Sequence, residues 1–239
     1  VGFSLAITLP RAGNLGGGGF MLVYIKEKQE IYYIDYRSSS PLNANIKDLF
    51  NTNLPEDYKK TDFDKSRFGH KASAIPGTVA GLLEAHRNFG KLSLKEILEP
   101  VIKQASEGIK VSYDLNKAIE STPQLFNDPE SRKIYFDNGK PLVKNSLMKR
   151  PDLAETLSHI SANGHKGFYE GPTAKKIVEA MNANNGFMTL EDFKNYKVNS
   201  GSPISILYRG NVIFTAGPPS GGGVVLLTAL KVLESYKFK

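Results

Sequence analysis

Gly16-Gly17-Gly18-Gly19-Phe20-Met21-Leu22-Val23-Tyr24-Ile25, residues 16–25, runs four consecutive glycines straight into a stretch suited to a strand. Phe20 to Ile25 and Ile31 to Tyr36 are both rich in β-branched and aromatic residues, and Lys26-Glu27-Lys28-Gln29-Glu30 between them is polar. That pattern predicts a β-hairpin. Glycine surrenders more backbone entropy on ordering than any other residue, so a run of four needs a reason. Either the backbone passes close to another group, or it adopts positive φ. Phosphate binding is a poor explanation. Phosphate loops follow a strand and open a helix, whereas these glycines precede a strand and lack a Gly-Lys-Ser/Thr ending.

Upstream, Phe3 to Leu9 alternates imperfectly and reads as a helix end or a strand, broken by Pro10. The chain opens at Val1 inside an apolar phrase, as a fragment would. Downstream, residues 38–72 are polar and irregular, predicting a long loop with one helical turn near Ile46 to Phe50. Helical signals begin at Pro76-Gly77. Val79, Leu82, Leu83 and His86 share a face before Gly90, and Ser93 with Glu96 makes a capping box for a helix reaching about Gly108. Pro151 starts a helix through Ser161 with Gly164 as its stop, Pro172 starts another through Asn182, and Thr189 with Asp192 approximates a second box. Strand character returns at Ile204–Tyr208 and Val212–Ala216 around the turn Arg209-Gly210-Asn211, and Val224–Tyr236 is an amphipathic helix. This order predicts an α+β fold: one sheet fed by strands from both ends of the chain, with a helical lobe inserted between them.

Two further motifs bear on chemistry. Ser220-Gly221-Gly222-Gly223 follows a strand and a Pro-Pro turn and precedes a helix. Amides at that helix start suit an anion, but glycines there equally let a helix pack closely on a sheet. Arg37 ends Asp35-Tyr36-Arg37, where a strand meets a loop, and its planar fork suits a carboxylate. From pattern alone, an ion pair with Asp35 or another local acid is the stronger reading. His70, His86, His159 and His165 lack metal-ligand spacing, no Gly-x-Ser-x-Gly elbow occurs, and no pair of carboxylates stands out. The residues offer no obvious nucleophile.

The chain has no cysteine, which excludes disulfides, zinc-thiolate sites and cysteine nucleophiles. Its 31 basic and 24 acidic side chains leave a charge of +7. The basic residues are spread along the chain without interleaved stacking aromatics, so a solvated lysine-rich surface is favoured over nucleic-acid binding. No apolar run is long enough for a membrane-spanning helix. The first residues lack the basic stretch and apolar core of a signal peptide.

Taken in order, several segments resemble the γ-glutamyltranspeptidases. They are Gly13-Asn14-Leu15-Gly16-Gly17-Gly18-Gly19-Phe20-Met21-Leu22, Ile34-Asp35-Tyr36-Arg37 with Pro41, and Ile75-Pro76-Gly77-Thr78-Val79-Ala80-Gly81. Lys166 to Gly171, Gly186 to Phe193, Tyr208-Arg209-Gly210 and Pro218-Pro219-Ser220-Gly221-Gly222 continue the series. The resemblance spans nearly the whole chain, and motifs weak singly are strong in register.

The resemblance implies an Ntn hydrolase with an αββα sandwich, of which residues 1–239 would be one domain, a partial large subunit. Such enzymes are made as a precursor that cuts itself. The new amino-terminal threonine of the small subunit attacks the γ-glutamyl amide of glutathione or a related donor, with its own α-amine as base. Water then gives hydrolysis, and an amino-acid or peptide amine gives transfer. No metal or organic cofactor is implied, and no catalytic residue in this chain, since the Thr-Thr-His-Tyr type segment is absent. The partners implied are the small subunit, the donors and the acceptors; the location implied is periplasmic or secreted. Arg37 matches the arginine that binds the donor's α-carboxylate. Two departures stand out. Ser38 and Ser40-Pro41 replace the usual Glu and Ala-Pro, and Gly217-Pro218-Pro219-Ser220-Gly221-Gly222-Gly223 replaces Pro-Pro-Pro-Ser-Ser-Gly-Gly. They fit an altered donor preference, or a related amidase of the cephalosporin acylase kind. A non-enzymatic anion-binding or interaction module is the third reading.

Overall fold

The computed structural model describes residues 1–45, 47 and 67–237, so the expected helical turn near Ile46 to Phe50 lies, but for Lys47, outside the described residues. Helix α1 (Gly2–Thr8) buries Phe3, Ala6 and Ile7, an i, i+3, i+4 face that resolves the ambiguous opening as helix. The single turn α2 (Pro10–Gly13) has Pro10 at its start, where the missing N–H would find no partner anyway. Strands β1 (Phe20–Ile25) and β2 (Glu30–Asp35) pair antiparallel from Phe20 opposite Asp35 to Ile25 opposite Glu30, the hairpin read from two β-branched and aromatic runs around a polar stretch.

Helix α3 (Thr78–Phe89) follows, then α4 (Leu94–Glu107). Local chemistry sets the start of α4. Ser93 Oγ accepts from the Glu96 amide at 3.2 Å, and the Glu96 carboxylate accepts from the Ser93 amide at 2.8 Å. The next stretch gave no clear pattern in sequence. It folds as the short pieces β3 (Ile109–Lys110), α5 (Tyr113–Glu120), α6 (Gln124–Asn127), α7 (Pro129–Tyr135), β4 (Phe136–Asp137), β5 (Lys140–Pro141) and β6 (Leu147–Met148). These gather around a small core of their own, Val111, Leu115, Ile119 and Met148. Elements of two to eight residues are too short for a helical or strand period to register.

Helices α8 (Pro151–Asn163), α9 (Lys166–Tyr169), α10 (Pro172–Ala183) and α11 (Leu190–Asn195) complete the helical block. α8 lies along α4, and Leu98, Leu157 and Ile160 are fully buried between them and their neighbours. Each such side chain contributes about 1.5–3 kcal/mol of transfer free energy.

Strand β7 (Asn199–Gly201) returns to pair with β2, Tyr33 opposite Gly201 and Asp35 opposite Asn199. The helical block therefore sits between two partners of one sheet, in the order β1-β2-β7. The expectation that every late strand joins this sheet is wrong. β8 (Ile204–Tyr208) and β9 (Asn211–Thr215) pair with each other as a separate hairpin. Pro203 stands between β7 and β8 and has no amide hydrogen to carry a ladder through. Helix α12 (Gly221–Glu234) packs on this hairpin. It starts three residues earlier than its apolar pattern indicated, so the second glycine cluster is its first turn and not the loop before it. Among the described residues no helix is long and apolar enough to cross a membrane.

Candidate functional site

Strand β2 delivers Tyr36 and Arg37 directly from its end. The hairpin pairing runs one step further: the Tyr36 amide donates to the Gly19 carbonyl at 2.9 Å, and the Gly19 amide to the Tyr36 carbonyl at 3.2 Å. Ser39 then exchanges two backbone bonds with Ile75, at 3.2 and 2.8 Å. Between these fixed points the Arg37 backbone is held on both sides. Its N–H donates to Asp35 Oδ1 at 2.9 Å, and its carbonyl accepts from the Tyr196 hydroxyl at 2.9 Å.

The first glycine run is what lets this segment sit so low. A methyl group at Gly18 would overlap the Ser38 nitrogen and the Tyr36 carbonyl oxygen. A methyl at Gly77 would overlap the same carbonyl and the Tyr196 hydroxyl, and one at Gly81 would enter the Tyr36 ring. The Gly17 carbonyl accepts from the Gly77 and Thr78 amides at 2.8 and 3.0 Å, satisfying donors at the start of α3 that have no partner inside the helix. None of Gly16 to Gly19 takes positive φ. Of the two reasons a glycine run can have, close approach operates at Gly18 and, against the Tyr36 ring, at Gly19.

The Arg37 side chain is exposed, and its Nη1 donates to the Pro219 carbonyl at 3.1 Å, across 182 residues of sequence. The ion-pair reading of this arginine is overturned. Asp35 spends its carboxylate on the Arg37 backbone amide, and among the described residues no acid pairs with the guanidinium. A guanidinium carries five N–H donors, and Pro219 occupies one of them. Beyond Pro219, Ser220 caps α12 by accepting from the Gly223 amide at 3.3 Å. A methyl at Gly223 would overlap the Ala216 carbonyl, so close packing explains that glycine, whereas among the described residues nothing crowds Gly221 or Gly222. The packing reading of the second cluster holds at Gly223.

Two supports of Arg37 gave no signal of that role in sequence. Tyr196, 6% exposed, stacks on Tyr169 with centroids 5.7 Å apart, and Tyr169 stacks in turn on His165 at 4.3 Å. Burial, and secondarily the Asp35 charge, pushes the Tyr196 hydroxyl up to about 12, so near neutrality it remains a protonated donor. Burial likewise raises Tyr169, whose hydroxyl donates to the Pro76 carbonyl at 2.7 Å and accepts from the Ala80 amide at 3.3 Å. His165 is lowered by burial, with the Glu170 charge opposing. Asp192 is the second support. One of its oxygens completes the expected capping box with Thr189 at 2.8 Å, and the other accepts from the Leu42 amide at 2.9 Å.

Motifs separated by up to 200 residues thus meet at Arg37: the glycine run, the start of α3, the end of α11 and the Pro219 turn. What they offer chemically is recognition of an anion by a planar donor beside a helix start. Among the described residues no group of His, Asp and Glu has metal-site geometry.

The sequence model of the gamma-glutamyltranspeptidase family matches residues 1–239. A glutathione hydrolase proenzyme of Escherichia coli K12 is 37% identical over the whole of this chain, which spans 40% of that relative's length. The crystal structure of Helicobacter pylori gamma-glutamyltranspeptidase superposes with a TM-score of 0.89 at 33% identity, covering 99% of this chain and 66% of that one. A cephalosporin acylase from Bacillus halodurans shares the fold, with a TM-score of 0.85 at 23% identity over 99% of this chain and 44% of its own. The mixed α+β fold, the ordered motifs around Arg37 and the match from first residue to last agree that this chain belongs to the gamma-glutamyltranspeptidase family.

Proposed function

We propose that this chain is the large-subunit part of a γ-glutamyltransferase that hydrolyses glutathione, with Arg37 holding the α-carboxylate of the γ-glutamyl donor. The observation that carries the reading is the placement of Arg37. Its backbone is bonded on both sides, and its guanidinium sits at the Pro219 turn with one donor engaged and, among the described residues, no acid neutralising it. An arginine that served only structure would be expected to carry its charge to a local carboxylate. The rest of the reading follows the family. A threonine on a small subunit, released by self-cleavage of a common precursor, attacks the γ-carbonyl and forms a γ-glutamyl-enzyme. Water or an amine then accepts the acyl group. In this reading the sheet β1-β2-β7 and the hairpin β8-β9 belong to an αββα sandwich completed by that subunit, residues 1–239 belong to one domain, and the enzyme works in the periplasm or outside the cell.

Arg37→Ala in the intact enzyme tests the assignment. Loss of a charge-assisted contact is worth about 1.5–3 kcal/mol, so the donor KM is expected to rise by roughly 10- to 150-fold. Unchanged donor kinetics would remove Arg37 from the site.

One alternative has its own support. Ser38 after the arginine and Gly221 in the turn depart from the family pattern, and the fold is shared with a cephalosporin acylase. Turnover of a glutaryl amide in preference to γ-glutamyl-p-nitroanilide would favour an acylase of other amides.

A further inference from the structure

Strand β2 ends at Asp35, so Arg37 stands outside regular structure and its direction depends on what pins the peptides around it. Tyr36 is tied to Gly19 and Ser39 to Ile75, both through backbone groups. The carbonyl of Arg37 itself is tied by a side chain from the far end of the helical block, the Tyr196 hydroxyl at 2.9 Å. That hydroxyl has little freedom. Its ring lies nearly parallel to Tyr169, 5° between planes, and the absence of a side chain at Gly77 leaves the space it occupies. Helix α11, which Tyr196 terminates, is itself tied to the same segment through Asp192 and Leu42. A short helix thus holds the Arg37 loop at two points.

We infer that Tyr196 is a positioning residue for donor recognition: by fixing the Arg37 carbonyl it sets the peptide plane from which the guanidinium is aimed. With the N–H held by Asp35 and the carbonyl by Tyr196, φ and ψ of Arg37 are both constrained, and the backbone in turn restricts the rotamers available to the side chain. Remove the hydroxyl and the peptide between Arg37 and Ser38 gains freedom to rotate, while Pro219 still engages one guanidinium donor. The clamp is then present but less well aimed. The inference rests on Arg37 being the carboxylate clamp, and it names a residue through which that clamp is aimed at the donor's α-carboxylate.

Tyr196→Phe in the intact enzyme, assayed with two donors, tests it. For γ-glutamyl-p-nitroanilide the expected result is a KM raised about three- to tenfold, the size of one lost neutral hydrogen bond, with kcat little changed. For 4-aminobutyryl-p-nitroanilide, which lacks the α-carboxylate, kcat/KM is expected to stay at the parent value. Tyr169→Phe removes a hydroxyl from the same stack that bonds Pro76 and Ala80, not Arg37. It is expected to leave the ratio between the two donors where it was. Equal losses with both donors, or no loss with either, would overturn the inference. Should Tyr196→Phe not fold, Tyr196→Met fills similar space without a hydroxyl; failure of both to fold would make the residue a packing element and also overturn it. Arg37→Ala run in parallel separates the two claims. If that variant leaves donor kinetics untouched, the clamp itself is wrong. If it weakens the carboxylate donor and Tyr196→Phe does not, only the positioning role falls.

Discussion

Gly18 has no room for a methyl group between the Tyr36 carbonyl and the Ser38 nitrogen, whereas among the described residues nothing lies within 4 Å of where a methyl would go at Gly221 or Gly222. The two clusters look alike as strings of glycine. In the molecule packing claims Gly18 and Gly19 of the first, which lie against Tyr36 to Ser38 beyond the end of β2, while the Gly17 carbonyl caps α3. The second consumes one residue that way, Gly223 against Ala216, and leaves two with no packing reason among the described residues. Glycine inside a helix costs about 0.5–1 kcal/mol relative to alanine. Gly221 and Gly222 stand at the first two positions of α12, where the described residues leave room for side chains. The Arg37–Pro219 hydrogen bond puts that helix start beside the proposed donor site.

The sharpest way to break the comparison is Gly18→Ala. Its added carbon would meet backbone on both sides, which no rotamer change relieves. The expected loss of stability is about 3 kcal/mol or more, at the upper end of overpacking effects, read as a lower midpoint in urea unfolding. A loss below about 1 kcal/mol would mean that the loop has slack and that its glycines are not there for close approach.

How much of this was legible in the sequence depends on the range of the forces involved. Both capping boxes, Ser93 with Glu96 and Thr189 with Asp192, were readable because donor and acceptor lie three residues apart. The first hairpin was readable because its two β-branched and aromatic runs and the polar stretch between them are contiguous in sequence. By contrast, the second bond of Asp192 reaches Leu42 across 150 residues, and the guanidinium of Arg37 reaches Pro219 across 182. Neither leaves a trace in residue spacing. Tyr196 followed Phe193 as one more aromatic residue, and no pattern distinguished its hydroxyl from any other. Arg37 was the instructive case. Local reasoning paired it with Asp35, two residues away, and the acid is indeed the partner, but of the backbone amide. The order of motifs along the chain carried what spacing did not, because a shared order reflects a shared three-dimensional arrangement.

A smaller effect separates the cap from the glycines it serves. Ser220 accepts from the Gly223 amide at 3.3 Å, so Ser220→Ala leaves a first-turn donor without its partner. The expected cost is about 1 kcal/mol, seen as a modest drop in the denaturant midpoint, with no change in the β1-β2-β7 sheet. A null result would show that α12 owes its start to its seat on the β8-β9 hairpin and not to the serine.

The smallest expected change has the opposite sign, and that gives it value. Gly222→Ala adds a methyl into open space at the second position of α12, where alanine loses less chain entropy than glycine on folding. Stability is therefore expected to rise, by about 0.5 kcal/mol, while the donor KM of the intact enzyme rises with it. Packing alone predicts the first result without the second, and a hidden clash predicts a loss of stability. Only a glycine kept for the sake of a bound donor gives a better-folded protein with weaker donor recognition. A Gly222→Ala enzyme that is more stable and binds the donor as before would leave the second cluster without a functional reason, and the contrast with Gly18 would reduce to a difference in crowding.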